Sequence, residues 1–135
     1  MRVLLDTNVV LDLFLQREEF FAEVEAIMNM IEAGKIKGYI CANSMTTIDY
    51  FLTKSLGKDA SLSNVMLLLD KFQIASVDKK VLTQAVQECG RDYEDSVIYS
   101  SAKEARVDFI ITCDKKGFQN SPIKVLSPKE FLSIM

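Results

Sequence analysis

Val3-Leu4-Leu5-Asp6-Thr7-Asn8 opens the chain with three branched aliphatic residues closed by a polar triplet, and Phe109-Ile110-Ile111-Thr112-Cys113-Asp114 repeats the pattern towards the other end. Each run is short, apolar and rich in β-formers, so each reads as a buried strand with an acid just past its carboxyl end. Working outward, further strands are expected over residues 38–42, 72–77 and 124–126. Helical patterns separate them. One helix is expected from about Val9, and a second carries Phe20, Phe21, Val24, Ile27, Met28 and Ile31 as far as Gly34. Asn43 or Ser44 is expected to cap a helix bearing Met45, Ile48, Leu52 and Leu56, which stops at Gly57. Leu62, Val65, Met66 and Leu69 mark another. Asp78 then caps a helix with Val81, Leu82, Ala85, Val86 and Cys89 on its buried side, closed by Gly90. Asp92 starts a helix through Val97, Ile98, Ala102 and Ala105, and Ser127-Pro128 starts the last. Strands alternating with helices predict an α/β fold: a three-layer α/β/α domain over residues 1–135 with a central parallel sheet of about five strands.

Composition narrows the chemistry. With 135 residues, 49% hydrophobic and 26% charged, the chain is long enough for one core and too short for two. It contains no histidine, which excludes Ser-His-Asp and Cys-His catalysis, histidine zinc sites and imidazole proton shuttling. Acid–base or metal chemistry must therefore rest on carboxylates, and the 19 acidic against 16 basic residues supply them. Cys41, Cys89 and Cys113 are isolated in apolar stretches with no C-x-x-C pair, as expected of small buried hydrophobes in a reducing, cytoplasmic setting. No membrane span or signal cleavage pattern is expected, and no Lys/Arg tract marks a nucleic-acid tail. The glycines Gly34, Gly57, Gly90 and Gly117 read as punctuation, so phosphate-binding glycine loops are excluded.

In an open parallel sheet, ligands bind beyond the carboxyl ends of the strands where the strand order reverses. Asp6 and Asp114 occupy such ends, and Asp95 lies in the first turn of the helix leading into the second of these strands. Each has a local reading as well: Asp6 as a helix cap, Asp95 as a helix-dipole partner of an Asp92 cap, Asp114 as a turn former. Those readings do not account for the apolar settings of Asp6 and Asp114. Converging, part-buried carboxylates repel one another unless a cation neutralises them, and all-oxygen donors select Mg²⁺ or Mn²⁺.

These segments resemble a known family. MRVLLDTNVVLD (residues 1–12) is similar to the opening of a PIN-domain nuclease, and DSVIYSSA (95–102) to its central acid and following helix. FIITCDKKGF (109–118) resembles its strand ending in Thr-x-Asp, VLSPKEFL (125–132) its closing strand and helix, and DYED (92–95) a subgroup of small prokaryotic PIN proteins. The resemblance implies a metal-dependent ribonuclease with Asp6, Asp95 and Asp114 as metal-binding acids. It also implies a fourth acid, usually Glu, on the helix after the second strand. Asp49 stands there, one methylene shorter and as well placed for an exposed structural role as for the site. Asn8 and Thr112 match supporting polar positions, and Glu94 is either an outer acid or a solvated first-turn charge.

The expected chemistry is hydrolysis of an RNA phosphodiester by metal-activated water, with one or two Mg²⁺ or Mn²⁺ ions. The resemblance to toxins of toxin–antitoxin pairs further implies a protein antitoxin and a homodimer, with no membrane association. Two rivals stand beside this reading. One is a PIN-like module that holds RNA or protein without cleaving, favoured by the Asp49 departure. The other, a carboxylate phosphatase, is weaker because Asp6-Thr7-Asn8 lacks a second Asp. Phe14, Phe20, Phe21 and Phe51 are assigned to packing, and the Lys115-Lys116 pair to a solvated turn.

Overall fold

Five short strands, β1 (Arg2–Leu5), β2 (Lys37–Cys41), β3 (Gln73–Ala75), β4 (Phe109–Ile111) and β5 (Lys124–Leu126), pair in parallel in the order β3-β2-β1-β4-β5. The computed structural model describes residues 1–17, 19–88, 92–118 and 121–135. Among them, α1 (Thr7–Phe14), α2 (Phe21–Glu32), α3 (Ala42–Leu56), α4 (Lys58–Lys71), α5 (Lys79–Gln87), α6 (Tyr93–Glu104) and α7 (Pro128–Ile134) complete the α/β architecture. Successive strand residues face opposite sides, which splits the core in two. Val3, Leu5, Ile40 and Ile111 pack with Val9, Val24, Ile27, Ile48, Leu52 and Phe131 of α1, α2, α3 and α7. Leu4, Ala75 and Ile110 pack with Val81, Ala85, Val97, Ile98 and Ala102 of α5 and α6. Covering both faces removes each branched side chain from water, worth about 1.5–3 kcal/mol apiece.

The chain builds β1, β2 and β3 outward on one side and then crosses back to lay β4 against β1. The reversal of strand order therefore falls between β1 and β4, in register Leu4 against Ile110 and Leu5 against Ile111. The backbone N–H of Asp6 continues that pairing to the Ile111 carbonyl at 2.9 Å, and the Thr112 N–H reaches Leu126 O at 3.0 Å.

Several local expectations shift. The first helix starts at Thr7, two residues early, because Asp6 Oδ1 accepts from the Thr7 N–H at 2.8 Å. Strand β2 ends at Cys41, which becomes the cap of α3, so neither Asn43 nor Ser44 caps. Strands β3 and β4 are shorter than residues 72–77 and 109–113, since only Gln73–Ala75 and Phe109–Ile111 find partners. Asp78, Asp92 and Ser127 cap as expected, Ser127 in a reciprocal capping box with Glu130. Cys89 and Gly90 lie outside the described residues.

The larger difference is α4. The residues that mark this helix do not form a buried face: only Ser61 and Leu68 are buried, while Leu62, Met66, Leu67 and Leu69 are exposed, Met66 by 67%. Leu82 and Val86 of α5 are likewise exposed, leaving Val81 and Ala85 as its buried side. Gly57, at φ +90°, turns α3 directly into α4, and the pair presents Tyr50, Phe51 and Leu56 beside the α4 apolar residues. Among the described residues, no helix is long and apolar enough to cross a membrane.

Candidate functional site

Three elements deliver acids to the carboxyl edge of the sheet at the β1/β4 reversal. Asp6 follows β1 directly and is buried, with both oxygens engaged: Oδ1 accepts from the Thr7 N–H and Oδ2 from the Thr112 hydroxyl at 2.8 Å. Asp114 lies three residues past the end of β4, after Thr112 and Cys113. Its N–H donates to Thr112 Oγ1 at 3.1 Å, and its Oδ1 accepts from the Lys116 N–H at 3.1 Å. One hydroxyl thus donates to Asp6 and accepts from the backbone of Asp114, tying the two strand ends together. Thr112 itself is fully buried.

Asp95 reaches the same edge from the other side of the sheet. Helix α6 runs back along the strands, so its first turn faces their carboxyl ends, and Asp92 Oδ1 caps that turn at the Glu94 N–H, 2.9 Å away. Asp95 lies in the same turn and is half-buried. Among the described residues its carboxylate accepts no hydrogen bond from a protein group.

The electrostatics show that these acids share one field. Burial pushes the Asp6 carboxyl above the ordinary range, and Glu94 and Asp114 push it further; the bonds from Thr112 and Thr7 pull the other way. Burial also raises Asp95, helped by the charges of Asp6, Asp92, Glu94 and Asp114, to about 6. Mutual repulsion of this kind is what a bound cation relieves. Asp6, Asp95 and Asp114 offer only hard oxygen donors, a set whose chemistry suits Mg²⁺ or Mn²⁺. Among the described residues, no group of three His, Cys, Asp or Glu stands ready to hold an ion as the side chains lie.

The other expected residues divide. Glu94 belongs to the cluster through its charge on both Asp6 and Asp95, and it lines an open cleft of about 250 Å³ with Asn43, Ser44, Thr46, Thr47 and Ile98. Asn8 is exposed on the first turn of α1. Asp49 keeps different company: its Oδ1 accepts from Ser61 Oγ of α4 at 2.7 Å and from Thr53 Oγ1 at 3.2 Å. It is not among the leading charges that raise Asp6 and Asp95. These two hydrogen bonds tie Asp49 into the α3–α4 contact.

Three residues support the site in roles that the sequence reading does not assign to them. Ser44, inside the first turn of α3, accepts from Thr7 Oγ1 at 2.7 Å and fastens α3 to the start of α1. Asp12 is buried and accepts from Arg17 Nη1 at 3.2 Å, while the chain turns back through Gln16 at φ +51°. Its other oxygen accepts from Cys113 Sγ at 3.3 Å. Burial and the Asp12 carboxylate push the Cys113 thiol up to about 12, so it stays protonated and braces the loop between Thr112 and Asp114. A buried acid at Asp12 was the available signal, because an Asp inside an apolar helix needs a partner.

Comparison with known proteins bears on the family and the fold. A family model described as PIN domain matches residues 2–116. Ribonuclease VapC1 of Aquifex aeolicus is 27% identical over 135 residues, covering 96% of this chain and 92% of the relative. A toxin–antitoxin complex from Klebsiella pneumoniae contains a chain that superposes with a TM-score of 0.70 at 23% identity, over 93% of this chain and 97% of that one. VapC20 of Mycobacterium tuberculosis, a toxin that cleaves the sarcin-ricin loop, superposes with a TM-score of 0.68 at 10% identity, over 86% and 92%. At these identities the two structures show a shared fold.

Proposed function

Because the chain belongs to the PIN-domain family, we propose that it is a Mg²⁺- or Mn²⁺-dependent endoribonuclease, with Asp6, Asp95 and Asp114 as the residues that hold the ion. The observation that supports this reading is that Asp6 follows β1 and Asp114 lies just past β4 at the strand reversal, where burial and the charges of both raise Asp95 in the first turn of α6. Glu94 takes the place expected of Asp49 as the fourth acid. A bound divalent ion would offset the charge that an RNA phosphate meets here and lower the pKa of a coordinated water.

The chain's own groups do the rest. Thr112 holds Asp6 in one orientation through Oδ2 and fixes the start of the Asp114 loop. The hydroxyl and amide groups of Asn43, Thr46 and Thr47, in the cleft beside Glu94, offer neutral donors to a ribose-phosphate strand. The absence of histidine is consistent with a reaction that uses no imidazole and no covalent nucleophile.

A protein partner is part of the proposal. The Klebsiella pneumoniae toxin–antitoxin complex and the toxin VapC20 among the structural relatives support a toxin role, with an antitoxin and a homodimer as the expected assemblies. The exposed apolar residues of α3 and α4 supply surface of the kind such contacts cover. A cytoplasmic setting accords with the free thiols of Cys41 and Cys113.

The test is direct. Purified protein is expected to cleave single-stranded RNA with Mn²⁺ or Mg²⁺, to stop on chelation, and to lose at least 100-fold in rate as Asp6→Asn, on the order of a removed charge-stabilising group. RNA binding without metal-dependent cleavage would favour the non-catalytic module instead.

A further inference from the structure

The geometry points to Gly117 as a positioning residue for Asp95: the missing side chain at 117 is the space into which the Asp95 carboxylate fits. Gly117 lies in the 3₁₀ turn Lys115–Phe118 that follows Asp114. A Cβ built there would overlap Asp95 Oδ2 and stand 2.7 Å from its Cγ and 3.4 Å from its Cβ. The three heavy atoms nearest to that Cβ all belong to the Asp95 side chain, so the carboxylate is the first group a methyl at 117 would meet.

Conformation does not explain this glycine. Gly34 and Gly57 have φ of +75° and +90°, and nothing stands within 4 Å of a Cβ at either, so they are glycines of the backbone. Gly117 is the reverse case, with a φ outside the left-handed region and its Cβ position occupied by a catalytic candidate. Alanine would suit its backbone, and what it would displace is the far end of a flexible acidic side chain.

That separation gives the residue a functional signature. Ordinary contact begins at about 3.4 Å, so the Asp95 Cγ must retreat by most of an ångström if a methyl enters. Metal ligation tolerates far less, since Mg²⁺–oxygen distances sit at about 2.0–2.1 Å. The turn is also anchored independently of Asp95. Lys116 N–H bonds to Asp114 Oδ1, Lys115 pairs with Glu130, and Phe118 is buried in the α5–α6 side of the core. The carboxylate yields and the turn stays. Asp114 and the surface that shapes Asp95 thus belong to one short segment, which couples the position of the second acid to that of the third.

This inference rests on the metal-centre reading above, and its test separates the two. Mn²⁺ affinity is measured by calorimetry, and stability by thermal melting in chelator, for the wild type, Gly117→Ala, Asp95→Ala and the double variant. Gly117→Ala is expected to weaken Mn²⁺ binding at least tenfold while its melting temperature stays within about 2 °C of wild type or rises, as Gly→Ala does at a compatible φ. In the Asp95→Ala background the same substitution is expected to change affinity less than twofold. Affinity within twofold of wild type in Gly117→Ala, a melting temperature lowered by more than 5 °C, or an equal loss in both backgrounds would each overturn the positioning role. If Asp95→Ala itself binds Mn²⁺ as wild type does, the metal-centre assignment of Asp95 fails, and the role of Gly117 fails with it.

Discussion

Replacing Asp95 by Asn should make the metal-free protein more stable at neutral pH while weakening its function. Burial and the charges of Asp6, Asp92, Glu94 and Asp114 raise this carboxyl from 3.8 to about 6. Below the ordinary value of 3.8 the group is protonated whether the chain is folded or not, and its pH contribution is absent. Between 3.8 and about 6 the folded chain keeps a proton that the unfolded chain has released, so stability falls as pH rises. Above that window the penalty is complete. The shift corresponds to about 3 kcal/mol before screening, and at a half-exposed carboxylate solvent reduces this to about 1.5 kcal/mol. Losing a negative charge near the N-terminus of α6 returns roughly 0.5 kcal/mol. Among the described residues the Asp95 carboxylate accepts no hydrogen bond, so Asn forfeits none. A net gain on the order of 1 kcal/mol, about 4 °C in melting temperature for a chain of this size, is expected near neutral pH. Melting in chelator, followed by circular dichroism from acid to neutral pH, reads it. The variant's advantage should be full above about pH 6 and vanish near pH 4, and saturating Mn²⁺ should reverse the order by stabilising wild type more. An Asn variant that melts lower than wild type in chelator, or by a pH-independent amount, would refute the repulsion on which this reasoning rests.

Other substitutions test the division of labour among the polar residues. Asp49→Asn should leave RNA cleavage within about twofold of wild type and cost about 1 kcal/mol in denaturant unfolding, the typical worth of the weakened Ser61 contact; a 100-fold loss of cleavage would return Asp49 to the site. Thr112→Val keeps the shape but removes the hydroxyl shared by Asp6 and Asp114, and should lower the cleavage rate at least tenfold and stability by about 1–3 kcal/mol.

Much of this architecture can be read from residues alone, for identifiable reasons. Val3-Leu4-Leu5 and Phe109-Ile110-Ile111 are apolar on both faces, a pattern that a buried parallel strand satisfies and an exposed one does not. Their acids mark the carboxyl ends, and Asp78, Asp92 and Ser127 announce helix starts through local hydrogen bonds. What escaped depends on partners distant in sequence. Periodicity identifies the apolar stripe of α4 but not whether this chain covers it, and only Leu68 is buried. The direction of Asp49 is set by Ser61 on the next helix, and the use of Gly117 by Asp95 on α6. The reach of β2 to Cys41 moves Ser44 from a cap to a bridge with Thr7. The candidate acids are legible because each sits near an element boundary, whereas the contacts that support them are tertiary.

The most direct test of a single shared centre is the Mn²⁺-dependent cleavage rate of Asp6→Asn, Asp114→Asn and the double variant on one RNA substrate. Groups that act as a unit are strongly non-additive, so each single variant should fall at least 100-fold on the scale of lost charge-stabilising groups, and the double variant no further than the worse single. Losses that multiply, or a single variant that cleaves at the wild-type rate, would contradict a common site at the β1/β4 reversal.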